Sequence, residues 1–448
     1  MTTQAQDKAQ APAAEEITGA IPPHSRMGKL GLTMAWWGVC SALFYIVVAA
    51  SLAHQFGTLN AIIGMSLSVL TYGAINGVIS RYAIRTGLSV ALFSRVLFGD
   101  FGASLATLIF FATALYYGVF ESSVMAVALQ AYFPSVPLNL AYLVVIIYGI
   151  VLIFGSIQTW LDKLNGVLLP IYLAGLAIAV LLTISSHGYS NDWLFLQPEN
   201  GPVEYGWWDC YTYYMGVWIL MMYTFDYARY GRQEDTAYHA RFNFGVPFYL
   251  VTFLLSGMAG IFLASTLGTT SEAGVVISLV QLMGFGGLVF AWVTQTRINT
   301  ANFHLATTNM HSFFERILNL RLPHWIWAVL VGVLAYVIML ADVFSYILQA
   351  LAYQGVFVVA WVGVALVHIL LNPSGMDATA SVATGAASHQ SFNPRGLLAW
   401  FTGTACGLIL MHNTGLASFS APATFLVAAV VYAAAARRGS GYRLSSLE

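Results

Sequence analysis

Charge is what this sequence has least of. Asp, Glu, Lys and Arg together make 8% of its 448 residues, where a soluble chain carries about a quarter. A surface so poor in charge cannot be held in water, so lipid must solvate most of it. Cysteine is nearly absent as well. Cys40, Cys210 and Cys406 are odd in number and far apart, which offers neither a disulfide framework nor a metal site. The formal net charge is −1 and no basic tract exists, so nucleic-acid binding has no electrostatic footing. A cleavable signal is not expected, because no short apolar core with a cleavage site precedes the first long apolar run.

Apolar residues are abundant instead, at 59%. A membrane crossing needs about 20 of them in succession, and the chain divides into twelve such blocks. The expected spans are 32–54, 58–80, 103–131, 138–157, 165–185, 207–226, 243–266, 275–300, 323–341, 343–370, 396–413 and 420–437. Each must be a helix, since lipid offers no partner to an open backbone. The expected fold class is therefore an all-α polytopic membrane protein of twelve transmembrane helices. Residues 1–27 read as a disordered cytoplasmic tail, 371–395 as a flexible cytoplasmic loop and 438–448 as a cytoplasmic tail.

The basic residues orient this map. With the N-terminus in the cytoplasm, the outer loops fall near 132–137, 186–206, 267–274, 341–343 and 414–419, and none contains Lys or Arg. Every basic residue except Arg297 falls on the inner side, the asymmetry that the positive-inside bias produces. Both termini are thus expected in the cytoplasm, in a bacterial inner membrane.

Polar residues inside spans are costly and therefore informative. Span 1 has Gly38, Ser41 and Ala42 near its centre, and span 6 has Gly216 and Trp218. Gly beside Trp at mid-depth, five spans apart, fits two interrupted helices in equivalent places of an inverted repeat. Close packing of the glycines is the competing explanation. In span 3, Glu121 follows Tyr116 and Tyr117 by about one helical turn. Two aromatic faces and a carboxylate can stack a flat ring and accept its N–H donors. Span 8 carries Thr294, Gln295, Thr296, Arg297, Asn299, Thr300 and Asn302. Positions 295, 299 and 302 share one face and 294, 297 and 301 another, so this helix lines a cavity or packs at the protein centre. Asp226 and Arg229 read as an interfacial ion pair, and His304, His311 and Glu315 as the polar face of a cytoplasmic helix end. No assembled nucleophile or metal cluster lies within the spans, so an enzyme is not expected.

These residues carry a resemblance. FDYARYGR at 225–232 looks like the D-F-x-R-[FY]-G-R segment of cytosine permeases in the nucleobase:cation symporter-1 family. The T-x-x-x-A-N ending of span 8, Thr296–Asn302, is similar to the allantoin-type pattern, and L-T-x-x-x-x-G at Leu32–Gly38 aligns in span 1. The resemblance covers spans 1 to 10. It implies the leucine-transporter fold, with one five-helix repeat in 28–185, its inverted partner in 207–370, and two peripheral spans in 396–437. It implies a secondary active transporter importing a nucleobase-like heterocycle, with the ring held between aromatics of spans 3 and 6 and its edge read by amides. Carried over, Tyr116 matches the span 3 platform, Trp218 the span 6 aromatic, one residue out of register, and Asn302 the span 8 amide; Thr113 falls where the family has Gln, and Glu121 has no counterpart. The family's cation site would be built from Gly38, Ser41, Thr296 and Arg297. A guanidinium there places a fixed charge where sodium binds. At ~4 Å two unit charges repel by about 4 kcal/mol near a dielectric of 20, so a proton is the favoured coupling ion over sodium; the competing reading has Arg297 snorkel to the cytoplasmic interface from the last turn of span 8. No other cofactor and no obligate protein partner is implied; an amino-acid or amine carrier of the same fold is the alternative.

Overall fold

The computed structural model describes residues 20–154, 156–269, 271–342, 346–383, 391–413 and 415–444. Most of the expected tail 1–27, the stretch 384–390 of the expected loop and the last four residues lie outside them. Helices α1 (Lys29–Trp37), continued by the tight turn Gly38–Ser41, and α2 (Phe44–Phe56) form span 1, bent by 42° at the break between Ser41 and Phe44. Then come α3 (Thr58–Thr86), α4 (Val90–Tyr132), α5 (Leu138–Leu152) and α6 (Ser156–His187). Span 6 is also two helices, α7 (Gly206–Met215) and α8 (Ile219–Ala228). Span 7 ends in α9 (Ser256–Thr266) after a π-helical turn, Leu250–Leu255. The remainder are α10 (Glu272–Met283), α11 (Phe285–Leu318), α12 (His324–Leu340), α13 (Ile347–Leu371), α14 (Met376–Ala383), α15 (Pro394–Met411) and α16 (Ser420–Leu444).

This is an all-α, multi-pass membrane protein. Among the described residues six helical segments are long and apolar enough to cross a bilayer unaided, and the bent pair of span 1 makes a seventh. The other expected crossings miss that simple test for physical reasons. Span 6 is broken, α5 and α12 are short, α11 carries the polar stripe, and α15, only 18 residues long, opens on Pro394, Arg395 and Gly396.

Span 8 differs from its expected bounds. Residues 275–283 belong to a separate helix, α10, capped by Ser271, whose hydroxyl accepts from Gly274 N–H at 3.1 Å. Gly284, at φ 58° and ψ −134°, ends it in a conformation reserved for glycine. Hydropathy runs straight through this reversal, so apolar content alone could not reveal it. Two segments expected to be irregular hold structure as well: α14 lies in the loop 371–395, and α16 continues to Leu444. Before α1, the backbone N–H of Met27 bonds Tyr230 O at 2.7 Å. Arg26 reaches the carbonyls of Ile84 and Gly231 there, and desolvation pulls its guanidinium below the ordinary pKa.

Helix α4 carries a second bend. Gly99 sits at φ 78°, ψ 177°, separating a short N-terminal helical arm from the spanning part, and Arg95 pairs with Asp100 across it at 3.5 Å. The spanning part packs along α11 through the protein centre. Around this core, α12 shows an apolar belt to lipid: Val329, Val333 and Val337 recur every fourth residue, all exposed.

Candidate functional site

The two broken spans meet at mid-depth. In span 1 the helix tightens at Gly38–Ser41 and opens at Ala42, whose ψ of 126° is extended. Ser41 turns its hydroxyl back to the carbonyl of Gly38 at 2.8 Å and lies 3.5 Å from the carbonyl of Thr294 on α11. In span 6 successive three-residue hydrogen bonds run through Gly216, Val217 and Trp218. The interruption takes the tighter 3.0-residue winding. Gly216 has ordinary helical angles; what it needs is room, because a Cβ there would lie 2.5 Å from the carbonyl of Leu351 on α13. Gln354 on α13 donates to the carbonyl of Gly216 at 3.4 Å. Span 6 is thus both interrupted at Gly216 and packed backbone-to-backbone there.

Between the breaks lies a narrow cleft whose wall includes Ala42, Phe44, Tyr117, Glu121, Tyr223 and Asn302. Its free space is about 20 Å³, enough for a single water. Glu121 is 1% exposed, and Asn302 is 3% exposed. Asn302 accepts the Tyr223 hydroxyl at 3.3 Å through Oδ1, while its Nδ2 has no hydrogen-bond partner among the described residues. A buried amide donor with no partner is costly unless something arrives to take it.

The polar stripe of α11 closes onto α4. Asn299 exchanges hydrogen bonds with Ser122 at 3.1 and 3.3 Å. One turn earlier, Gln295 meets Glu121. Assigned with its nitrogen toward the Glu121 carboxyl, its amide turns its oxygen to the backbone N–H of Leu43 at 3.0 Å and to the Thr294 hydroxyl at 3.1 Å; the opposite assignment sets acceptor against acceptor and donor against donor. Leu43 precedes α2, so Gln295 caps the second half of span 1.

Other expected site residues are placed as follows. Tyr116 stands edge-on to Tyr117, with ring centroids 5.7 Å apart, behind the cleft wall. Thr113 is buried one turn away on the same helix. Trp218 turns from the cleft and packs edge-on against Tyr72 and Phe425. Arg297 shares a small crevice with Gly38, on the face of α11 toward the span 1 break. Thr296 looks elsewhere, its hydroxyl bonding Trp292 O at 2.6 Å and the Tyr148 hydroxyl at 3.0 Å. The carboxylate of Asp226 accepts the N–H of Val90 at 2.8 Å, at the start of the α4 arm, where a helix N-terminus favours an anion. Arg229 binds the Asp226 main-chain oxygen and lies over the Tyr230 ring. His311 pairs with Glu315 at 3.8 Å on the helix end expected to be polar.

Tyr223 is the residue that sequence reasoning passed over. It lines the cleft and also a second cavity of about 180 Å³, walled by Ala114, Asp226, Leu305 and Thr308 on the side expected to face the cytoplasm. Its place on α8, one helical turn before Asp226, was the available signal. A cavity of about 370 Å³ reaches Gly216 from the opposite side, between α7, α13 and the α15–α16 turn.

No protein-family model and no curated protein sequence matches the chain. Solved structures do. The inward-facing conformation of Mhp1 matches at TM-score 0.80 and 15% identity, over 96% of this chain and 94% of that one. The chain has the Mhp1 fold. Mhp1 is described as a nucleobase-cation-symport-1 family transporter, and its closed conformation with bromovinylhydantoin bound matches at TM-score 0.73 and 15% identity, over 94% of each chain. MhsT in complex with L-phenylalanine matches more loosely, at TM-score 0.56 and 12% identity, over 91% of this chain and 99% of its own. The fold expected from the sequence motifs is the fold found.

Proposed function

We propose that this protein is a secondary active transporter importing a flat nitrogen heterocycle, a nucleobase or a related ring, by alternating access. The observation that carries this reading is the chemistry of the cleft. The unpartnered Asn302 nitrogen calls for a ring carbonyl, the Glu121 carboxyl for a ring N–H, and the Tyr117, Tyr223 and Phe44 side chains for a flat face. The Mhp1 fold, with both broken helices meeting at that cleft, supplies the two-state scaffold. Trp218 and Tyr116, turned away from the cleft, have no part in this reading.

Transport is coupled to an ion gradient, and we favour the proton over sodium. Arg297 lies beside Gly38, where a guanidinium takes the place of a cation, and Thr296 directs its hydroxyl away from that point. An amino-acid carrier of the same fold would need free N–H groups at the breaks for the substrate carboxylate; at Leu43 that group is occupied by Gln295.

The test is a thermal-shift screen of purified protein against nucleobases, hydantoins, allantoin and amino acids, in sodium and in choline. A ligand that binds only the folded state raises the melting temperature. A nucleobase-type hit of equal size in both salts is expected. Amino-acid hits alone overturn the substrate class, and a hit restricted to sodium overturns the role given to Arg297.

A further inference from the structure

Glu121 is the one charged side chain lining the central cleft among the described residues, and it does not stand alone. Its carboxyl meets the amide nitrogen of Gln295, whose oxygen accepts the N–H of Leu43. A single amide therefore joins a carboxyl on span 3 to the broken backbone of span 1. Among the described residues, the other titratable groups lining the cleft with Glu121 are phenols, Tyr45 on α2, Tyr117 on its own helix and Tyr223 on α8; Arg297 lines a separate crevice at Gly38.

We propose that Glu121 is a proton site, and that Gln295 relays its protonation to the hinge in span 1. This rests on the transporter reading and gives it a coupling device. An ionised carboxylate only accepts hydrogen bonds, so it holds the Gln295 nitrogen and leaves the amide oxygen to Leu43. Adding a proton makes one carboxyl oxygen a donor, and the Gln295 amide can accept from it only by turning its own oxygen away from Leu43. Once the amide turns to serve it, the Leu43 N–H faces an amide nitrogen, donor against donor, and α2 loses its cap. The charge-assisted bond to Glu121 is lost in the same step. The proton comes from water and returns to it, and no covalent bond changes. Buried networks of this kind are sensitive because a partly satisfied one is costlier than none.

Cys40, fully buried within the turn of span 1, is a native reporter of the hinge. Two readouts on purified protein lacking the other two cysteines test the relay. The first is an infrared titration of protonated carboxyl, with Glu121→Gln identifying the band. The second is the rate at which N-ethylmaleimide labels Cys40, scaled at each pH to a small free thiol. Expected are a titrating band that Glu121→Gln removes, and Cys40 labelling that rises about tenfold as the band grows. That factor is the size of one lost charge-assisted hydrogen bond. Gln295→Met should keep the band and flatten the labelling. If Gln295→Met does not fold, Gln295→Asn, one methylene shorter, serves the same purpose. Absence of a titrating band overturns the proton site, and unchanged labelling in the Gln295 variant overturns the relay. Neither readout uses a transported solute, so either failure leaves the transporter reading intact; failure of solute flux in proteoliposomes with both readouts positive removes that reading alone.

Discussion

Asn302 presents half of its amide to a protein partner and half to the cleft, and that division makes it the most exacting residue of the proposed site. Asn302→Ala should weaken heterocycle binding by about 1–3 kcal/mol, measured by titration of the purified protein. Unchanged affinity removes Asn302 from the site. Arg297→Thr should introduce a sodium dependence into the ligand-induced thermal shift that the parent lacks, because a hydroxyl replaces a fixed charge beside Gly38; a variant as indifferent to sodium as its parent refutes the substitution of guanidinium for cation. At this scale the sequence was partly legible. The face shared by Gln295, Asn299 and Asn302 follows from helical period alone, and it is the face that meets Glu121, Ser122 and Tyr223. The turning away of Trp218 was not legible. The three tight turns after Tyr213 rotate everything beyond them, so counting back from Asp226 along an ideal helix places the wrong aromatic in the cleft.

Helices here are positioned by interruptions as much as by apolar faces. Gly216 brings broken span 6 against the backbone of α13, and a methyl group has no place to go. Gly216→Ala should lower the thermal midpoint in detergent, by the equivalent of about 1–3 kcal/mol. Gly31→Ala is the control, since its nearest neighbour would be 3.8 Å away. Equal midpoints would show that span 6 can shift off α13 at no cost. The order of the main helices was legible from the apolar runs. The start of span 8 was not, because the residues before Gly284 are apolar for packing as a separate helix, and only the backbone angle of a glycine marks the turn.

The whole molecule holds a nearly filled centre between two unequal cavities. Tyr223 and Ile219 stand between the cleft and the smaller cavity along α8, so solute release on that side requires the Tyr223 ring to swing away from Asn302. In protein freed of native cysteines, Thr308→Cys should react with a membrane-impermeant thiol reagent in inside-out vesicles, and Gln349→Cys in intact cells. The reverse pattern would invert the topology read from the basic residues. One feature of the outer shape reaches beyond the protein. Helices α5 and α12 pack side by side and have 15 and 17 residues. At 1.5 Å per residue they are about 22 and 26 Å long, against about 30 Å for a bilayer's hydrocarbon core. That flank must draw the two leaflets together, and thinning has a cost that grows with each ångström of mismatch. Acyl-chain length thereby becomes a control on this protein: turnover in reconstituted vesicles should be higher in short-chain lipids than in long-chain ones, because α5 and α12 flank the α4–α11 pair that walls the cleft.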